Sequence, residues 1–510
     1  MGRPLRPVTH PGSSQRPSDE PTDAVAPDEV PPVTTPVDPG VLATPAEGLE
    51  PRPWAPRRVV IVGAGLAGLV AAFELKRQGH EVTVLEAQNR VGGRIYTLRA
   101  PFAPGLYAEA GGMRIPRAHD LTLRYCELFG LELRPFVMGN PRALVYLGGQ
   151  RLTKEEADLD PGRLPFALAE HERGRNADAL WEEAIGALRV MVEHDGPAAW
   201  EQIVREYDQY SLYEFLRFKG WSRGAIEYFA VVNFLEADMH NSLVEILRED
   251  LGGAYVDMQE IVGGMDRLPN AFLEHLVDEV RFGANVFALD QDPDGVTVHF
   301  KTEAGHYRTR GDYAIVTVPF SVLRSVEILQ PFSAGKQRAI RQLNYHASTK
   351  ILFQVRNRFW EDEDGIRGGG TVTELPIRRM NYPTPDPTTS RGVLLASYTW
   401  GQDALQWGAM DEETRLEEAL DDVAQIHPRI REEYEGGASH AWYSDRWARG
   451  AFAMFAPEQE TDLQADIVRS EGRILFAGEH CSLYHAWIQG ALESGIRAAQ
   501  AIHEAPAAGA

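Results

Sequence analysis

The segment formed by residues 57–86 constrains this 510-residue chain more than any other. A short apolar run at residues 59–62 precedes the pattern Gly-Ala-Gly-Leu-Ala-Gly at residues 63–68, a stretch with helical spacing of apolar residues, and a second apolar run that ends at Glu86. Glycines in this spacing allow a tight turn, close approach of the backbone to a pyrophosphate, and close packing of helix on strand. An acid at the end of the second strand is where such sites hydrogen-bond an adenosine ribose. The order of these features predicts a dinucleotide site.

The same segment has two alternative interpretations. It could be a glycine-rich loop in an ordinary α/β domain, because the glycine pattern alone has low specificity. It could also be a membrane span, but the apolar stretch at residues 59–73 holds only 15 residues between Arg58 and Glu74. A span needs about 18. We therefore favour the dinucleotide site.

Composition sets broad limits on the fold and on the partners. A chain of 510 residues exceeds what one hydrophobic core usually supports, so two or three domains are expected. The 74 acidic and 51 basic residues give a net charge of −23, which would repel a nucleic-acid backbone or an anionic membrane. The two cysteines, Cys126 and Cys481, permit no disulfide framework and have no metal-ligand spacing. We expect no nucleic-acid partner, no membrane association and no metal site.

The first 56 residues differ in composition from the rest. They are rich in Pro, Ser, Thr, Asp and Glu and lack hydrophobic periodicity, which predicts a disordered N-terminal tail at residues 1–56. A secretory signal needs an apolar core of about seven residues, and nothing before Val59 supplies one. We expect a cytoplasmic protein, with export by other routes left open.

A second glycine pair at residues 92–93 follows the predicted ribose acid and precedes Arg94. Backbone without side chains can run against a bulky cofactor, and the arginine can neutralise a phosphate or an electron-rich ring. The alternative is that Arg94 is an ordinary surface arginine. The block Val-Gly-Gly-Arg at residues 91–94 resembles the flavin amine oxidase family, which includes L-amino acid oxidases, monoamine oxidases and polyamine oxidases. Further segments that resemble this family, closest in pattern to bacterial FAD-dependent L-amino acid oxidases, lie at residues 107–116, 259–269, 348–355, 374–383, 473–480 and 486–490.

The resemblance implies an α/β protein with the amine oxidase fold. This fold has a discontinuous Rossmann-like FAD-binding domain, a mixed-sheet substrate-binding domain and a helical insertion. The implied ranges are 57–98, 262–343 and 471–503 for the FAD-binding domain, 99–150, 251–261 and 344–470 for the substrate-binding domain, and 151–250 for the helical domain. Charged and apolar residues at helical spacing through residues 179–192, 198–207 and 212–218 indicate helices in the insertion.

The resemblance also implies FAD, rather than NAD, as the cofactor. Monoamine oxidases carry a cysteine linked covalently to the flavin where Ala451 falls in this chain, so the alanine implies non-covalent FAD. The residues that the resemblance assigns to cofactor binding are Gly63, Gly65, Ala67, Gly68, Glu86, Ala87, Arg94, Gly111, Gly112, Met113, Arg114, Val286, Gly478, Glu479, Trp487 and Ile488.

Two residues resemble those that hold the substrate carboxylate in L-amino acid oxidases. Arg114 follows the Gly-Gly-Met segment, and a planar, always charged guanidinium can bind a carboxylate through two parallel hydrogen bonds. Tyr382, just before Pro383, would donate a second hydrogen bond. Alternatively, Arg114 pairs with an internal acid, and the Tyr382 ring packs in the core with its hydroxyl bonded to the backbone.

Two further residues are assigned to catalysis by the resemblance. Lys350 matches the family lysine that reaches flavin N5 through a water and assists reoxidation by oxygen, although a lysine on an edge strand is the commoner reason for such a position. Trp487 matches the aromatic wall of the substrate cage beside the flavin, with a role in the core as the alternative. Alternation predicts that Lys350 and Leu352 share one face of a strand whose other face carries Ile351 and Phe353.

Glu249 departs from the family pattern. Animal-type L-amino acid oxidases tend to carry a histidine at this position, and an acid that lines the pocket would favour a cationic side chain such as that of arginine or lysine. An Arg-Glu-Asp run is more commonly the solvated face of a helix, so both interpretations remain open.

Together these residues imply oxidative deamination of an L-amino acid to a 2-oxo acid, ammonia and hydrogen peroxide, by hydride transfer from the α-carbon to flavin N5. Positioning would supply most of the rate, because the flavin supplies the chemistry. Three alternatives stay open: an amine oxidase acting on a substrate without a carboxylate, an amino acid 2-monooxygenase that yields an amide and carbon dioxide, and a non-enzymatic flavin-binding protein. The partners we expect are a small-molecule L-amino acid, oxygen and a second copy of the chain in a homodimer or higher homo-oligomer.

Overall fold

The protein, a computed structural model, is described over residues 37–52, 55–386 and 388–505. Short apolar runs form a five-stranded parallel sheet, as runs buried on both faces do. The five strands all lie within the segments that we assigned to the FAD-binding domain, although the domain limits themselves stay predictions. In spatial order they are Ile474–Phe476, Tyr313–Val316, Arg58–Val62, Glu81–Leu85 and Val280–Arg281.

Two helices pack closely on this sheet. Helix Leu66–Arg77 begins directly after the glycine turn, as predicted, and the C-terminal helix Ile488–Glu504 packs against it. A Cβ atom at Gly68 would lie 2.1 Å from the carbonyl oxygen of Gly63, and one at Gly495 would lie 2.4 Å from that of Ala67. Only glycine allows such close backbone contacts. Gly68 therefore brings helix and strand together.

A second sheet has four strands. Its spatial order is Gly305–Gly311, Gly295–Thr302, Asn285–Asp292 and Glu327–Ile328, with the first three antiparallel and the last parallel to its neighbour. Val286 lies in the third strand, which begins just after the edge strand of the parallel sheet. The connection brings Val286 to the carboxyl end of that sheet, beside the glycine turn.

The substrate-binding part is built on a seven-stranded mixed sheet. In spatial order the strands are Tyr434–Ala441, Ser348–Val355, Gly392–Trp400, Arg379–Asn381, Gly370–Thr373, Leu144–Leu147 and Gln150–Thr153. Ile351 and Phe353 belong to the core on one face, whereas Leu352 belongs to a smaller cluster on the other. The predicted alternation along this strand is confirmed, and it puts Lys350 on the face that Leu352 shares.

Helices dominate residues 154–251, which confirms the predicted helices in the insertion. They are Lys154–Leu159, Ala177–Asp195, Pro197–Tyr207, Leu212–Phe218, Arg223–Val232 and Leu243–Leu251, with short 3₁₀ turns at Pro161–Arg163 and Glu236–Asp238. Thr153 and Ser211 each begin a helix with a capping box, in which the side chain and a glutamate three residues later bond each other's backbone N–H. The buried side chains of these helices form a separate core together with part of the mixed sheet.

The prediction of a disordered tail is wrong for residues 37–52. Asp38 caps the helix Pro39–Glu47, and Val41 and Leu49 are buried in the core that covers the parallel sheet. Local composition is polar there, but these two apolar side chains gain enough burial from tertiary contact to order the segment. The rest of the predicted tail up to residue 36, and residues 53–54, lie outside the described residues.

The remaining elements connect these layers. The strands are Thr97–Leu98, Ala108–Glu109, Leu133–Pro135, Gln259–Ile261, Tyr345–His346 and Phe452–Ala453, and the helices are Asp120–Leu128, Arg267–Glu274, Phe320–Leu323, Ala334–Gln342, Phe359–Glu363, Gly401–Gly408, Glu412–Ile426, Ile430–Glu433, Gln459–Val468 and the 3₁₀ turn Glu479–Cys481. Within the described ranges, no helix combines the length and the apolar character that crossing a bilayer requires. The oligomeric state and the cellular location stay predictions.

Candidate active site

One large cavity lies between the parallel sheet, the mixed sheet and the helical part. Its empty volume, including the mouth, is about 1930 Å³. All the predicted site residues except Gly68 and Tyr382 line it, although their roles stay predictions. Residues that are distant in the sequence therefore meet at the carboxyl end of the parallel sheet, where open α/β sheets bind ligands.

The end of the cavity at the glycine turn fits an adenine dinucleotide. Gly63 has a positive φ of 105°, and at Gly65 a Cβ would meet nothing within 4 Å, so bare backbone faces open space. The Glu86 carboxylate is buried and accepts hydrogen bonds from the backbone N–H groups of Ala64 at 2.8 Å and Gln88 at 2.7 Å. A carboxylate has about four acceptor sites, so Glu86 retains capacity for ribose hydroxyls. Burial raises its pKa.

Gly68 and Gly111 show two different uses of glycine. Gly68 was predicted to contact the cofactor, but it lies outside the cavity. The absence of a side chain at Gly68 instead allows its backbone to pack against Gly63. At Gly111, a Cβ would lie 1.9 Å from the carbonyl oxygen of Arg94, so no side chain fits there. Gly111 does line the cavity, and its backbone passes close to the segment that carries Arg94.

Arg94 is not an ordinary surface arginine. Its guanidinium donates to Glu479 at 2.6 Å and to the carbonyl oxygen of Ala451 at 3.1 Å, and all three residues line the cavity. Burial acts to raise the pKa of Glu479, but Arg94 and the neighbouring histidines outweigh it and hold the pKa below its ordinary value. The pair therefore joins two distant segments as an ionised unit at the wall of the cavity.

Lys350 projects from the mixed sheet into the cavity and is only 2% exposed. Its Nζ donates to the carbonyl oxygens of Glu109 at 3.1 Å and Gly111 at 2.7 Å. Burial lowers the pKa of Lys350 to about 7; Arg114 adds to this and Glu109 opposes it. The amine can therefore hold or release a proton near neutral pH, unlike an exposed lysine.

Arg114 lines the cavity and forms no ion pair with the described residues. Its guanidinium lies 3.1 Å from the sulfur of Met138 and 5.9 Å from the centre of the Tyr255 ring. Among the described residues, no carboxylate oxygen lies within ion-pair distance of it, so the alternative of an internal ion pair is not seen. A cation in a cavity with no ion-pair contact among the described residues is a suitable partner for an anionic ligand.

The prediction for Tyr382 is wrong. Its side chain is 3% exposed and packs beside Trp360 in the core beneath the mixed sheet. Its hydroxyl is hydrogen-bonded to Thr371 at 2.8 Å and to Nε2 of His427 at 2.7 Å. The ring therefore occupies the face of the sheet opposite to the cavity, where it satisfies two buried polar groups.

Tyr398 is a cavity-lining tyrosine that the sequence reasoning missed. It lies directly opposite Lys350 in the neighbouring strand, and the Lys350 Nζ is 4.8 Å from the centre of its ring. Burial raises the pKa of its phenol, with Arg114 acting in the opposite sense, which places the two side chains in the same electrostatic environment. Cross-strand pairing with the predicted lysine is the signal that could have identified it.

Trp487 and Glu249 meet at the wall of the cavity. The indole Nε1 of Trp487 donates to Glu249 at 2.9 Å, and the Tyr255 hydroxyl donates to the other carboxylate oxygen. Burial is the main cause that raises the pKa of Glu249. The helix carrying Glu249 therefore turns the acid inward, so Glu249 does not lie on a solvated helix face. The preference for a cationic side chain stays a prediction. Tyr255 also lines an outer pocket with Arg117 and Met138, so its ring forms part of the wall between the two.

Asp238 is a second acid in the same cavity that the sequence reasoning missed. Its carboxylate accepts from the Asn241 amide at 2.8 Å and lies 3.5 Å from Nε2 of His346. Burial, with a further contribution from Glu249, raises the pKa of Asp238 to about 8. It had no sequence signal, because the run Glu-Ala-Asp in a short 3₁₀ turn is indistinguishable from a solvated loop.

Comparisons with known proteins agree with this arrangement. The family model described as "Flavin containing amine oxidoreductase" matches residues 66–503. The chain is 39% identical to "Putative L-amino-acid oxidase YobN" of Bacillus subtilis (strain 168), over 88% of this chain and 95% of the relative. It is 36% identical to an L-amino-acid oxidase of Siganus canaliculatus, over 91% and 88%.

Solved structures share the fold at lower identity. A putrescine oxidase variant with redesigned cofactor binding aligns with a TM-score of 0.73 at 20% identity, over 88% of this chain and 98% of that one. Cyclohexylamine oxidase from Brevibacterium oxydans IH-35A aligns with a TM-score of 0.71 at 21% identity, over 88% and 99%. The predicted amine oxidase fold is confirmed. The chain belongs to the family of flavin-containing amine oxidoreductases.

Proposed function

We propose that this flavin-dependent oxidoreductase is an L-amino acid oxidase with non-covalent FAD. It would convert an L-amino acid, water and oxygen into a 2-oxo acid, ammonia and hydrogen peroxide. The observation that carries the proposal is Arg114, a cation in the cavity with no carboxylate within ion-pair distance among the described residues. A guanidinium in such a position costs electrostatic free energy unless an anion arrives, and the α-carboxylate of an amino acid is such an anion.

Arg114 and Tyr398 are the groups that orient the substrate. The guanidinium binds the carboxylate, and the Tyr398 hydroxyl, which lines the same cavity, donates the second hydrogen bond that the family resemblance assigned to Tyr382. Trp487 forms an aromatic wall whose position is fixed by its hydrogen bond to Glu249 and by an edge-on contact with His119 at 5.0 Å. A substrate held at both ends keeps its α-carbon in one place. Such positioning supplies most of the rate enhancement.

The cofactor-binding residues would be the glycine turn at residues 63–65, Glu86, Val286 and the Arg94–Glu479 pair. When bound, the flavin supplies the chemistry, since it accepts the two electrons of amine oxidation and passes them to oxygen. Non-covalent attachment is supported because Cys126 and Cys481, the two cysteines of the chain, are buried away from the cavity, whose wall has alanine at residue 451. The Lys350 amine, with a pKa of about 7, can hold or give up a proton at this wall.

The names of the relatives support an amino acid as substrate, because the homologue from Siganus canaliculatus is an L-amino-acid oxidase. The solved structures with this fold are oxidases of amines by name, and at 20–21% identity they bear on the fold alone. The substrate class therefore requires a direct measurement.

The test is an anaerobic screen of the flavin-loaded protein with all the L-amino acids and with their decarboxylated amines as matched partners. We expect the yellow flavin absorbance to bleach with at least one amino acid and not with the corresponding amine. Aerobic turnover should then give equal amounts of 2-oxo acid and peroxide. Bleaching by amines alone would contradict the proposal in favour of an amine oxidase, and an amide with carbon dioxide would identify a monooxygenase. Absence of bleaching with every compound would identify a non-enzymatic flavoprotein.

A further inference from the structure

Besides Glu86, Asp445 and Glu479, the cavity that holds Arg114 is lined by two carboxylates from the helical part of the chain. Asp238 ends the 3₁₀ turn Glu236–Asp238, and Glu249 lies in the last turns of helix Leu243–Leu251. Asp238 is 2% exposed, and Glu249 is held by Trp487 and Tyr255. The helical part therefore contributes two acids to the cavity that Arg114 lines.

Neither acid has a basic partner in the part of the chain that the structure describes. No Lys or Arg nitrogen lies within 4 Å of either carboxylate, and the nearest basic group to Asp238 is His346 at 3.5 Å. Burial lowers the pKa of His346 to about 4, so it is neutral at physiological pH. Lys350 bonds two backbone carbonyl oxygens and Arg379 bonds Asn381, and neither forms an ion pair with these two acids.

Two other buried acids of the chain are arranged differently. Glu460 is paired with Arg248, and Glu479 is paired with Arg94. A buried carboxylate is normally paired in this way, because desolvation of an isolated charge is expensive. Two unpaired acids that face a cavity therefore resemble Arg114 in one respect: each lacks a partner that a ligand could supply.

Arg114 and Glu249 are both neighbours of one residue, Tyr255. Tyr255 connects the two ends, since its hydroxyl donates to Glu249 while its ring faces Arg114 at 5.9 Å. Arg114 and Glu249 therefore belong to the same part of the cavity wall. One amino acid can bind Arg114 with its carboxylate and direct its side-chain terminus toward Glu249.

We propose that the substrate is an L-amino acid with a cationic side chain, of the lysine, ornithine or arginine class, whose terminal cation is bound by Glu249 and Asp238 while Arg114 binds its carboxylate. This inference rests on the proposed function and specifies its substrate. Glu249 and Asp238 are specificity-determining residues in it: they contact the remote end of the substrate and take no part in the oxidation itself.

The experiment compares substrates that differ only in side-chain charge. L-Arginine is paired with L-citrulline, and L-lysine with L-norleucine, on the flavin-loaded protein. We expect kcat/KM to favour the cationic member of each pair by roughly 100-fold or more, because a site with buried polar groups rejects an analogue that leaves them unpaired. Equal kcat/KM within each pair would overturn the inference, yet it would leave the proposed function intact as long as either amino acid is oxidised.

Variants then assign the preference to residues. Glu249→Gln and Asp238→Asn should each lower kcat/KM for arginine by roughly 30-fold or more. They should lower kcat/KM for citrulline far less than for arginine, so that the preference collapses. Glu201→Gln, an exposed acid on helix Pro197–Tyr207 in the same part of the chain, is the matched control and should change neither. An equal loss for arginine and citrulline would overturn the inference, because Glu249 would then serve the α-amine that all substrates share.

A binding measurement without turnover separates recognition from catalysis. Perturbation of the flavin absorbance can be titrated with 5-guanidino-2-oxopentanoate and with 2-oxohexanoate, which keep the carboxylate but cannot be oxidised at an amine. We expect the guanidino acid to bind at least tenfold more tightly to the unmodified protein and the two acids to bind equally to the Glu249→Gln variant. Equal affinities in the unmodified protein would overturn the inference. Because the Asp238→Asn variant is tested in parallel, failure of one variant to fold still leaves the assignment testable.

Discussion

Lys350 and Tyr398 lie directly opposite each other on paired antiparallel strands, with the lysine Nζ 4.8 Å from the centre of the tyrosine ring. Directly opposed residues project on the same face of a sheet. This pairing brings the buried amine of Lys350 and the phenol of Tyr398 into one cavity with Arg114. The oxidase chemistry that we propose therefore depends on strand register as much as on residue identity.

Replacement of Lys350 by Met should slow the reaction of the reduced flavoprotein with oxygen by on the order of 100-fold, as loss of a proton-transfer group does. Because burial lowers the pKa of Lys350 to about 7, the amine is charged below that pH and neutral above it. If the charged form assists, the rate constant of the unmodified protein should fall as pH rises through about 7. Stopped-flow reoxidation between pH 6 and 9 measures both effects. Lys301→Met, an exposed position on strand Gly295–Thr302, is the control, and an unaltered pH profile in Lys350→Met would contradict the assignment.

Replacement of Arg114 by Met should lower kcat/KM for the amino acid substrate by roughly 100-fold or more, chiefly through KM. Loss of one partner from a largely desolvated charge pair costs about 2–5 kcal/mol. Turnover of the corresponding decarboxylated amine should change little, because it has no carboxylate to lose. Steady-state peroxide production measures both, with Arg308→Met as the exposed control. If the amine loses as much activity as the amino acid, Arg114 does not recognise a carboxylate.

Tyr382 and Tyr398 should respond in opposite ways to replacement by Phe. Tyr382→Phe removes the buried hydrogen bonds of the hydroxyl with Thr371 and His427, so the free energy of unfolding should fall by about 1–3 kcal/mol with KM unchanged. Tyr398→Phe should raise KM by roughly tenfold, since a hydrogen bond to a charged group contributes about 1.5–3 kcal/mol. Urea unfolding and steady-state kinetics on both variants separate the two roles. A rise of KM in the Tyr382 variant would return the substrate role to that residue.

The glycine turn and Glu86 could be predicted because their geometry is local. Strand, turn, helix and second strand follow one another in the sequence, and the spacing of glycines is dictated by contacts within the unit, such as that between Gly68 and Gly63. The parallel sheet, its first helix and the helices of the insertion are predictable for the same reason. Local periodicity determines such elements, whatever packs on them.

The substrate end of the cavity could be predicted only in part. Tyr382 and Tyr398 both lie in or beside strands of the same sheet, and a tyrosine before a proline carries no information about which face it takes. Asp238 and Glu249 reach the cavity because the helical part packs over the mixed sheet, a relation between segments that local sequence patterns do not reveal. Tertiary packing also ordered residues 37–52 against their polar composition.

Replacement of Arg94 alone should destabilise the protein more than replacement of Arg94 and Glu479 together. In Arg94→Met, the Glu479 carboxylate loses the cation that outweighs the effect of its burial, so the free energy of unfolding should fall by about 3–5 kcal/mol and bound FAD should be released more readily. In the double variant Arg94→Met/Glu479→Gln no buried charge is left unpaired, and part of the stability should return. Urea unfolding of both single variants and the double variant gives the coupling free energy, and flavin fluorescence gives the released fraction. If the loss of unfolding free energy in the double variant equals the sum of the losses in the two single variants, the ion pair contributes nothing to stability.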